Sequence, residues 1–391
     1  MNARKVKEGV FWLGAVDWDR RLFDSIIPLP DGTSYNAYLI KGSEKVALLD
    51  TVDPTMKREL MRQLEDVPRI DYLIAHHAEQ DHSGEIPSVL EKYKEAKLVC
   101  STIAKDMLVD HLHVPPERIM TVKDGETLQL GGKTLRFIYT PWVHWPETMV
   151  TYLQEDRILF TGDFFGSHYA TSEQYADEAQ VYEPAKRYFA EIMMPFRKAI
   201  QKNIEKVEKL DIDMIAPSHG PIYRDPKFII NAYKDWVSDT PKNVVLLPYI
   251  SMHDSTRMLV ERLVAALTDR GVRVYQFDLA RADIGKIAVE LVDAATVVVG
   301  TPTFHSGIHP LALYATYLVS LLRGRIKFAS VIGSYGWKSK ALEQVAGLIE
   351  PLKLEVIEPV ICRGMPREND LKAIDALAEK IAEKHRALGL K

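Results

Sequence analysis

The second half of the chain alternates short apolar segments with longer amphipathic ones, and this alternation restricts the possible folds more than any other feature. The pairs follow one another from residue 244 to the end, at a spacing of about 25–30 residues. Segment 295–300, ATVVVG, is apolar without alternation, as expected for a parallel strand that helices cover on both faces. The sequence therefore predicts an α/β domain over 243–391, with a doubly wound, parallel five-stranded sheet.

The same periodicity places the individual elements of this domain. The predicted strands are 244–250, 272–279, 295–301, 326–333 and 354–361, and the predicted helices are 255–270, 283–293, 310–323, 338–350 and 367–388. Ligands of such sheets bind at the carboxyl ends of the strands.

The first half, residues 1–242, shows short strands and helices without an internal repeat. A Gly-Gly pair between alternating segments predicts a hairpin over 127–139, and the amphipathic stretch 184–208 predicts one long helix. Several apolar runs end at His, Asp or Glu, which is how strand-end loops present ligands on a rigid scaffold. We therefore expect a separate domain with a ligand site, ending near residue 242.

Composition excludes several classes of function. Lys and Arg total 50 against 54 Asp and Glu, and this net charge of -4 gives no field for a phosphate backbone, so we expect no nucleic-acid partner. Cys100 and Cys362 are too few for a disulfide framework. The first residues lack the apolar core of a signal peptide, and no stretch approaches the ~20 apolar residues that span a bilayer. These features predict a cytoplasmic protein with no membrane partner.

Segment 76–82, HHAEQDH, is the most specific motif of the chain. It offers four potential metal ligands, namely His77, Glu79, Asp81 and His82. Three further candidates, each just after an apolar run, are His144, Asp163 and His219. An even division gives two metal positions, each with two imidazoles and a terminal or shared carboxylate, and one carboxylate can bridge two ions about 3.5–4 Å apart.

Glu79 decides which metal this motif favours. A His at this position would give His-x-His-x-Asp-His, the dizinc pattern of hydrolases in the metallo-β-lactamase superfamily. The glutamate makes the site richer in oxygen, which suits Fe(II)/Fe(III) and stabilises the oxidised metal. We interpret His82 as a group that lies beside the metals without binding them.

Three loops of the second domain predict a flavin mononucleotide (FMN) site. The first follows strand 244–250 and opens a helix, where hydroxyls and free N–H groups bind a phosphate. No Gly-x-Gly-x-x-Gly or Walker pattern stands there, which argues against a dinucleotide or a nucleoside triphosphate. Phe304, Tyr335 and Trp337 could flank a planar ring. The candidate FMN residues are Ser251, Met252, His253, Asp254, Ser255, Thr256, Pro302, Thr303, Phe304, His305, Ser306, Gly307, Ser334, Tyr335, Gly336 and Trp337.

Together these motifs resemble the flavodiiron proteins (A-type flavoproteins). The shared pattern is His-x-Glu-x-Asp, His-Trp-Pro, Gly-Asp-x-Phe-Gly and Pro-Ser-His-Gly, followed by a flavodoxin-like domain, and it covers essentially the whole chain. The resemblance implies a metallo-β-lactamase-like αββα sandwich with two non-haem iron ions, joined to an FMN domain. It also implies an oxidoreductase that reduces O₂ to water or NO to N₂O, with electrons relayed through FMN.

The resemblance further implies roles for individual residues. One iron is held by His77, Glu79 and His144, the other by Asp81 and His219, with Asp163 bridging the two and His82 unbound. Several relatives carry a His near the irons before the TSYNAYL segment, where this chain has Asp24. His168 and Tyr188 match positions beside the metals, so His82, His168, Tyr188 and Asp24 are the candidates for catalysis and proton supply.

The family also implies a homodimer, in which the FMN of one chain faces the irons of the other, or a dimer of dimers. Neither cysteine belongs to a Cys-x-x-Cys pair, so we expect a separate electron donor: rubredoxin, a reduced deazaflavin or a flavin reductase. The main alternative is a dizinc hydrolase with an accessory flavodoxin-like domain, which explains the ligand order but not Glu79. A non-catalytic electron carrier and a nucleic-acid-processing enzyme are further alternatives, and the net charge disfavours the second.

Overall fold

The computed structural model describes residues 2–391, which divide into two compact units. The first unit ends at Val237 and the second spans Ser238–Lys391. No helix in the described part of the chain is both long and apolar enough to cross a bilayer.

The first unit contains fourteen strands and seven α-helices among the described residues. The strands are β1 (Arg4–Lys7), β2 (Val10–Asp17), β3 (Leu22–Phe23), β4 (Ile27–Pro28), β5 (Thr33–Lys41), β6 (Val46–Leu49), β7 (Tyr72–Ile74), β8 (Lys97–Ser101), β9 (Ile119–Val122), β10 (Thr127–Gln129), β11 (Thr134–Tyr139), β12 (Met149–Leu153), β13 (Ile158–Gly162) and β14 (Met214–Pro217). The helices are α1 (Lys57–Gln63), α2 (Gln80–Ser83), α3 (Ile86–Lys92), α4 (Ala104–Leu112), α5 (Glu178–Tyr188), α6 (Arg197–Val207) and α7 (Pro226–Val237).

These strands form two sheets, with the orders β1-β2-β5-β6-β7-β8-β9 and β10-β11-β12-β13-β14. One apolar cluster joins residues of both sheets, for example Tyr38 and Phe160, and a second joins the first sheet to residues of α1, α3 and α4. Strand faces that bury Val, Leu and Phe must be covered in this way, because exposed apolar area costs about 25 cal/mol per Å². The predicted metallo-β-lactamase-like sandwich is confirmed, as is the hairpin, which β10 and β11 form.

The long helix predicted over 184–208 is interrupted. Helix α5 ends at Tyr188, a π-turn follows over Phe189–Met193, and a 3₁₀ turn over Met194–Phe196 precedes α6. Pro195 lies in this break, and its ring removes the N–H that would donate to the preceding turn. Amphipathic periodicity alone does not reveal such a break.

The second unit contains a single parallel sheet with helices, and one short hairpin strand. Its strands are β15 (Val244–Tyr249), β16 (Arg273–Asp278), β17 (Thr296–Phe304), β18 (Gly307–Ile308), β19 (Phe328–Tyr335), β20 (Glu355–Val356) and β21 (Val360–Arg363). Its helices are α8 (Ser255–Thr268), α9 (Ile284–Leu291), α10 (Pro310–Leu322), α11 (Ala341–Ile349) and α12 (Glu368–Ala387). The order β16-β15-β17-β19, followed by β20 and β21, is that of a flavodoxin-like sheet and confirms the predicted fold class.

The predicted fifth strand, 354–361, is split into β20 and β21, which both pair with β19 in parallel. Pro359 lies between them and has no N–H for the ladder. Since β15, β17 and β19 pair in parallel, the loops that follow these strands lie at the same edge of the sheet.

Candidate functional site

Four strands of the first unit end next to the residues of the predicted metal site. His77 follows β7, His144 follows β11, Asp163 directly follows β13, and His219 follows β14. Glu79, Asp81 and His82 lie at the short helix α2, just after His77. The strands belong to two facing sheets, so the fold brings together residues that are up to 142 positions apart in the sequence, since they run from 77 to 219.

The first group of donor atoms consists of His77, Glu79, His144 and Asp163. His144 Nε2 lies 2.9 Å from Glu79 Oε2 and 3.2 Å from Asp163 Oδ2. His77 Nε2 lies 3.4 Å from Glu79 Oε2 and 3.5 Å from Asp163 Oδ2. Two imidazoles and two carboxylates thus surround one point.

The second group consists of Asp81, His82, His219 and again Asp163. His82 Nε2 lies 2.9 Å from Asp163 Oδ1, 3.1 Å from Asp81 Oδ2 and 3.0 Å from His219 Nε2. His219 Nε2 lies 3.2 Å from Asp81 Oδ2 and 3.7 Å from Asp163 Oδ1. The sequence interpretation places His82 outside the donors, whereas its Nε2 atom is as close to both carboxylates as that of His219.

Asp163 belongs to both groups through different oxygen atoms, Oδ2 in the first and Oδ1 in the second. Both ring nitrogens of His77 and both carboxylate oxygens of Asp81 are buried without a hydrogen-bond partner among residues 2–391. Buried polar atoms without partners are costly, and a metal ion is a partner that imidazole and carboxylate both accept. The donor set therefore fits two metal ions that share one carboxylate.

The electrostatics of this site also favour a cation. Burial opposes charge on these histidines, yet the nearby carboxylates raise the pKa of His82 to about 10 and that of His144 to about 9. Burial likewise opposes the charge of Asp163, but His77 and His82 hold its pKa well below the usual value. The carboxylates thus stay ionised and create a negative field that protons or metal ions must neutralise.

Backbone and hydroxyl groups orient the ligands. His219 Nδ1 donates to the carbonyl oxygen of Ser34 at 2.7 Å, which directs Nε2 towards the carboxylates. Gly220 beside it has φ +81, and a Cβ there would stand only 2.0 Å from Ser167 Oγ, so no larger residue fits. In the other ligand loop, the N–H of Ala78 donates to Glu147 Oε1 at 2.9 Å.

The residues predicted to supply protons lie beside the second group. His168 is buried, with Nδ1 2.9 Å from Thr33 Oγ1 and its ring centroid 4.9 Å from that of His219. Tyr188 lies 4.8 Å from His168 and 5.6 Å from His219 between ring centroids. Burial, with the charge of His219 as a smaller cause, lowers the pKa of His168 well below its usual value, so its ring is neutral.

Asp24 lies in the turn between β3 and β4 with a left-handed backbone, φ 47°. Partial burial raises the pKa of its carboxyl, and the charges of Glu79 and Asp81 raise it further. The carboxyl therefore lies within the field of the metal groups, although the turn is exposed.

The predicted FMN residues occupy three loops at one edge of the second unit's sheet. Ser255 begins α8 after β15, and its Oγ atom lies 2.7 Å from Ser334 Oγ at the end of β19. The Thr256 hydroxyl is buried and has no hydrogen-bond partner among the described residues. Asp254 caps α8 without a side-chain hydrogen bond. The N–H of Ser255 donates to the carbonyl of His253 at 2.8 Å and that of Arg257 to Ser251 Oγ at 3.3 Å, which leaves Thr256 to offer its N–H and hydroxyl to an anion.

Aromatic rings surround the same edge. Trp337 is 80% exposed and Phe304 is 39% exposed, which is unusual for rings of this size. His305 and Ser306 adopt left-handed backbones, φ 45° and 68°, and form the tight turn between β17 and β18. Exposed aromatic rings at the same sheet edge as the start of α8, where the Thr256 hydroxyl lies, fit a planar ring with a phosphate tail.

Several residues at the metal groups were not singled out by sequence reasoning. Asp50, Thr151 and Glu147 are buried and bind the ligand loops, and Tyr35 packs edge-on against His219 with 5.6 Å between ring centroids. Asp50 ends the apolar run VALLD, the signal by which Asp163 was found, so the same criterion could have included it. Thr151 and Glu147 carry no comparable signal.

Comparison with known proteins agrees with this site. A family model described as "ODP family beta lactamase" matches residues 33–220. The nitric oxide reductase of Moorella thermoacetica is 36% identical over 96% of this chain and 97% of its own length. The rubredoxin oxygen:oxidoreductase of Desulfovibrio gigas has a TM-score of 0.95 at 30% identity, covering 99% of both chains. The flavodiiron protein of Giardia intestinalis has a TM-score of 0.91 at 27% identity, covering 99% of this chain and 98% of its own.

The fold and the site together define an oxidoreductase that combines a metallo-β-lactamase-like metal domain with a flavodoxin-like domain. More particularly, the chain belongs to the flavodiiron protein family. Membership of this family implies FMN and a non-haem diiron centre as cofactors, and confirms the predicted cofactors and enzyme class.

Proposed function

We propose that this chain reduces O₂ to water or NO to N₂O at two iron ions, with electrons that reach them from a separate donor through FMN. The observation that carries the proposal is the position of Asp163, whose two oxygens belong to two different groups of donor atoms. A carboxylate in this position would hold two ions side by side, and two neighbouring ions would be able to act together on one O₂ or two NO molecules.

The first iron is assigned to His77, Glu79, His144 and Asp163, and the second to Asp81, His219 and Asp163. We add His82 to the second set, because its Nε2 atom lies within 3.1 Å of both carboxylates and of His219 Nε2. Both positions then have two imidazoles and two carboxylates. The bound irons supply the change of valence and the open coordination positions that reduction requires.

Glu79 supports iron over zinc. It lies 2.9 Å from His144 Nε2 and carries a charge that the imidazole of a zinc hydrolase would lack. An anionic ligand stabilises the higher oxidation state of a metal, and zinc has no such state. The alternative of a dizinc hydrolase therefore explains neither Glu79 nor the presence of the second unit.

The FMN is assigned to the three loops of the second unit. Ser255 and Thr256 at the start of α8 are assigned to its phosphate, and Phe304, Tyr335 and Trp337 to the faces of its ring. The remaining predicted residues of these loops are proposed as the backbone and side-chain contacts between ring and phosphate. Bound FMN supplies a redox group that exchanges one or two electrons.

Both reductions consume protons: O₂ takes up four electrons and four protons to give two waters, and two NO take up two electrons and two protons to give N₂O and one water. We propose that His168 and Tyr188 pass protons on to the second group as hydrogen-bonding relay groups, because both lie against His219. Asp24 is a third candidate, since the charges of Glu79 and Asp81 favour a proton on its carboxyl.

The second unit also presents an apolar surface that supports the predicted homodimer. On α10, five side chains are more than a third exposed, namely Leu311, Leu313, Tyr314, Tyr317 and Leu321. Exposed apolar residues grouped on one helix are typical of interaction surfaces. We propose that a second copy of the chain covers them, so that the FMN of one chain serves the irons of its partner. Rubredoxin, a reduced deazaflavin or a flavin reductase would supply the electrons.

A stopped-flow experiment on the anaerobically purified, fully reduced protein tests this function. Metal and flavin contents are measured first, and the reduced protein is then mixed with O₂ or with NO. Reoxidation of both the flavin and the iron absorption bands within the turnover time supports the proposal. Two zinc ions without flavin would favour the hydrolase, and flavin reoxidation that persists in a His144→Ala variant would favour a carrier without a working metal site.

A further inference from the structure

A buried pair, Asp50 and His76, lies behind the metal groups and has no part in the assignments above. Asp50 follows β6, is 2% exposed, and has a left-handed backbone with φ 55°. A residue with a Cβ seldom adopts this conformation unless its surroundings enforce it. Asp50 Oδ1 accepts the backbone N–H of His76 at 2.9 Å, and Oδ2 accepts the His76 Nδ1–H.

His76 is fixed on its other side as well. Its Nε2 atom lies 2.8 Å from Thr151 Oγ1 in β12, and its ring is 1% exposed. Because a carboxylate only accepts hydrogen bonds, Nδ1 donates to Asp50, while Nε2 and the hydroxyl of Thr151 share a second hydrogen bond. The backbone carbonyl of His76 in turn accepts the N–H of Met149 at 3.0 Å.

The pair includes or lies against the residues that directly precede three proposed iron ligands in the sequence. His76 directly precedes His77. Ser218, which precedes His219, donates from Oγ to Asp50 Oδ2 at 3.1 Å. Gly162, which precedes Asp163, has φ +55, and a Cβ there would stand 3.1 Å from His76 Cβ. Ser218 N also donates to the carbonyl of Gly162 at 2.8 Å, which joins the second and third of these loops.

We propose that Asp50 and His76 are positioning residues that hold the loops of His77, Asp163 and His219 in one register, and thereby set the geometry and affinity of the diiron site. The three loops follow β7, β13 and β14, which belong to two different sheets, so contacts between the loops are needed to fix their relative positions. The inference rests on the proposed iron ligands and names residues that none of those assignments uses.

The charges and hydrogen bonds of the pair fit this role. Burial opposes the charge of Asp50, but His76 outweighs this effect and lowers the pKa of the carboxyl, so Asp50 is ionised. An ionised acceptor makes stronger hydrogen bonds than a neutral one, and three donors converge on it, from His76 N, His76 Nδ1 and Ser218 Oγ. Removal of hydrogen-bond partners of this kind behind metal ligands typically lowers metal affinity about 10–100-fold.

The test removes one hydrogen bond at a time from the full-length, FMN-containing protein. Thr151→Val keeps the shape of the side chain and deletes the hydroxyl that His76 contacts, whereas Thr151→Ser keeps the hydroxyl. Ser218→Ala removes the third donor to Asp50. Tyr93→Phe serves as the control, because it removes buried hydrogen bonds to the carbonyls of Leu64 and Val67, 3.0 and 2.9 Å long, from another part of the same unit.

Two readouts other than turnover are measured: retention of Fe(II) against a chelator under anaerobic conditions, and the electron paramagnetic resonance spectrum of the half-reduced iron pair. Thermal unfolding gives the loss of stability for each variant. We expect Thr151→Val and Ser218→Ala to hold iron about tenfold more weakly than wild type and to change the spectrum. Thr151→Ser should resemble wild type, and Tyr93→Phe should lower the melting temperature without changing the spectrum.

The proposal is overturned if Thr151→Val and Ser218→Ala lower stability but retain iron and its spectrum as the wild type does. If Thr151→Val does not fold, the comparison of Thr151→Ser with Ser218→Ala tests the proposal instead. A wild-type protein without iron would instead contradict the proposed function, and the two failures are thus distinguished before any variant is made.

Discussion

His82 Nε2 lies 2.9 Å from Oδ1 of Asp163, whereas the other oxygen of Asp163 faces His144. One carboxylate therefore links two clusters of imidazoles, and His82 completes the second of them. The family resemblance leaves that cluster with one imidazole fewer than the first, whereas the even division of the candidate ligands gives each cluster two. The structure shows His82 in contact with both Asp81 and Asp163, where the loops after β7, β13 and β14 meet.

Asp163→Asn should weaken both metal positions at once, because the amide keeps the shape of the side chain but removes the shared charge. We expect iron affinity to fall about 10–100-fold, with FMN retained. Iron and flavin contents after anaerobic desalting are the measurement. Retention of two irons per chain by this variant would show that Asp163 does not bridge.

His82→Ala tests whether His82 is a ligand of the second position, as we propose. We expect iron content to fall from two towards about one per chain, since the first cluster is unchanged. His113→Asn is the control, because this exposed histidine at the end of α4 belongs to neither cluster. If His82→Ala holds two irons with wild-type affinity, His82 lies beside the metals, as the sequence interpretation states.

Metal uptake should depend on pH in a defined direction. The carboxylates raise the pKa of His144 to about 9 and of His82 to about 10, although burial opposes this. In the metal-free protein the protonated rings thus stabilise the fold below their unfolded pKa near 6.5, and this contribution is lost as the pH rises through 9 to 10.

A metal ion must displace these protons, so affinity for Co²⁺ should rise with pH up to about 9–10. Calorimetric titration in two buffers of different ionisation enthalpy measures the protons released. Release of no protons at pH 7 would contradict the raised pKa values.

Thr256→Val should weaken FMN binding, because it removes a buried hydroxyl at the start of α8 that has no hydrogen-bond partner among residues 2–391. We expect a loss of about 1.5–3 kcal/mol, the value of a hydrogen bond to a charged group. Thr316→Val is the control, since the Thr316 hydroxyl bonds within α10 to the carbonyl of Ala312. Quenching of flavin fluorescence measures both, and equal affinities would exclude Thr256 from the site.

The second unit should lose stability in mild acid through His385. This ring is 1% exposed, hydrogen bonds to Thr296 and Asn243, and burial lowers its pKa to about 4. In the unfolded chain His385 takes up a proton near pH 6.5, whereas in the folded chain it does so only near pH 4. The free energy of unfolding therefore falls between pH 6.5 and 4, by about 2 kcal/mol from pH 7 to 5.

His385→Gln keeps a polar side chain at this position without the titration. Its melting temperature, measured by calorimetry at pH 7 and 5, should therefore change less with pH than that of the wild type. An equal change in both proteins would mean that other groups cause the acid sensitivity.

Much of this protein follows from local sequence pattern. The second unit was predictable because each βα pair carries its own periodicity, and strands such as β17 (Thr296–Phe304) are buried on both faces. Seven metal candidates were found because each follows an apolar run, and strand ends of one sheet edge lie together. Where a single residue overrides the periodicity, as Pro195 and Pro359 do, the predicted elements are broken.

The sequence by itself determined the order of the elements and the chemical types of the donor atoms, because both are properties of short segments. Only the tertiary structure decided how those donor atoms are grouped, that His82 Nε2 lies within 3.1 Å of both Asp81 and Asp163, and that Asp50 and Thr151 hydrogen bond to His76 beside the ligand loop. These relationships join residues on different strands of two sheets. Their distances depend on how the sheets face each other, which no segment of the chain encodes alone.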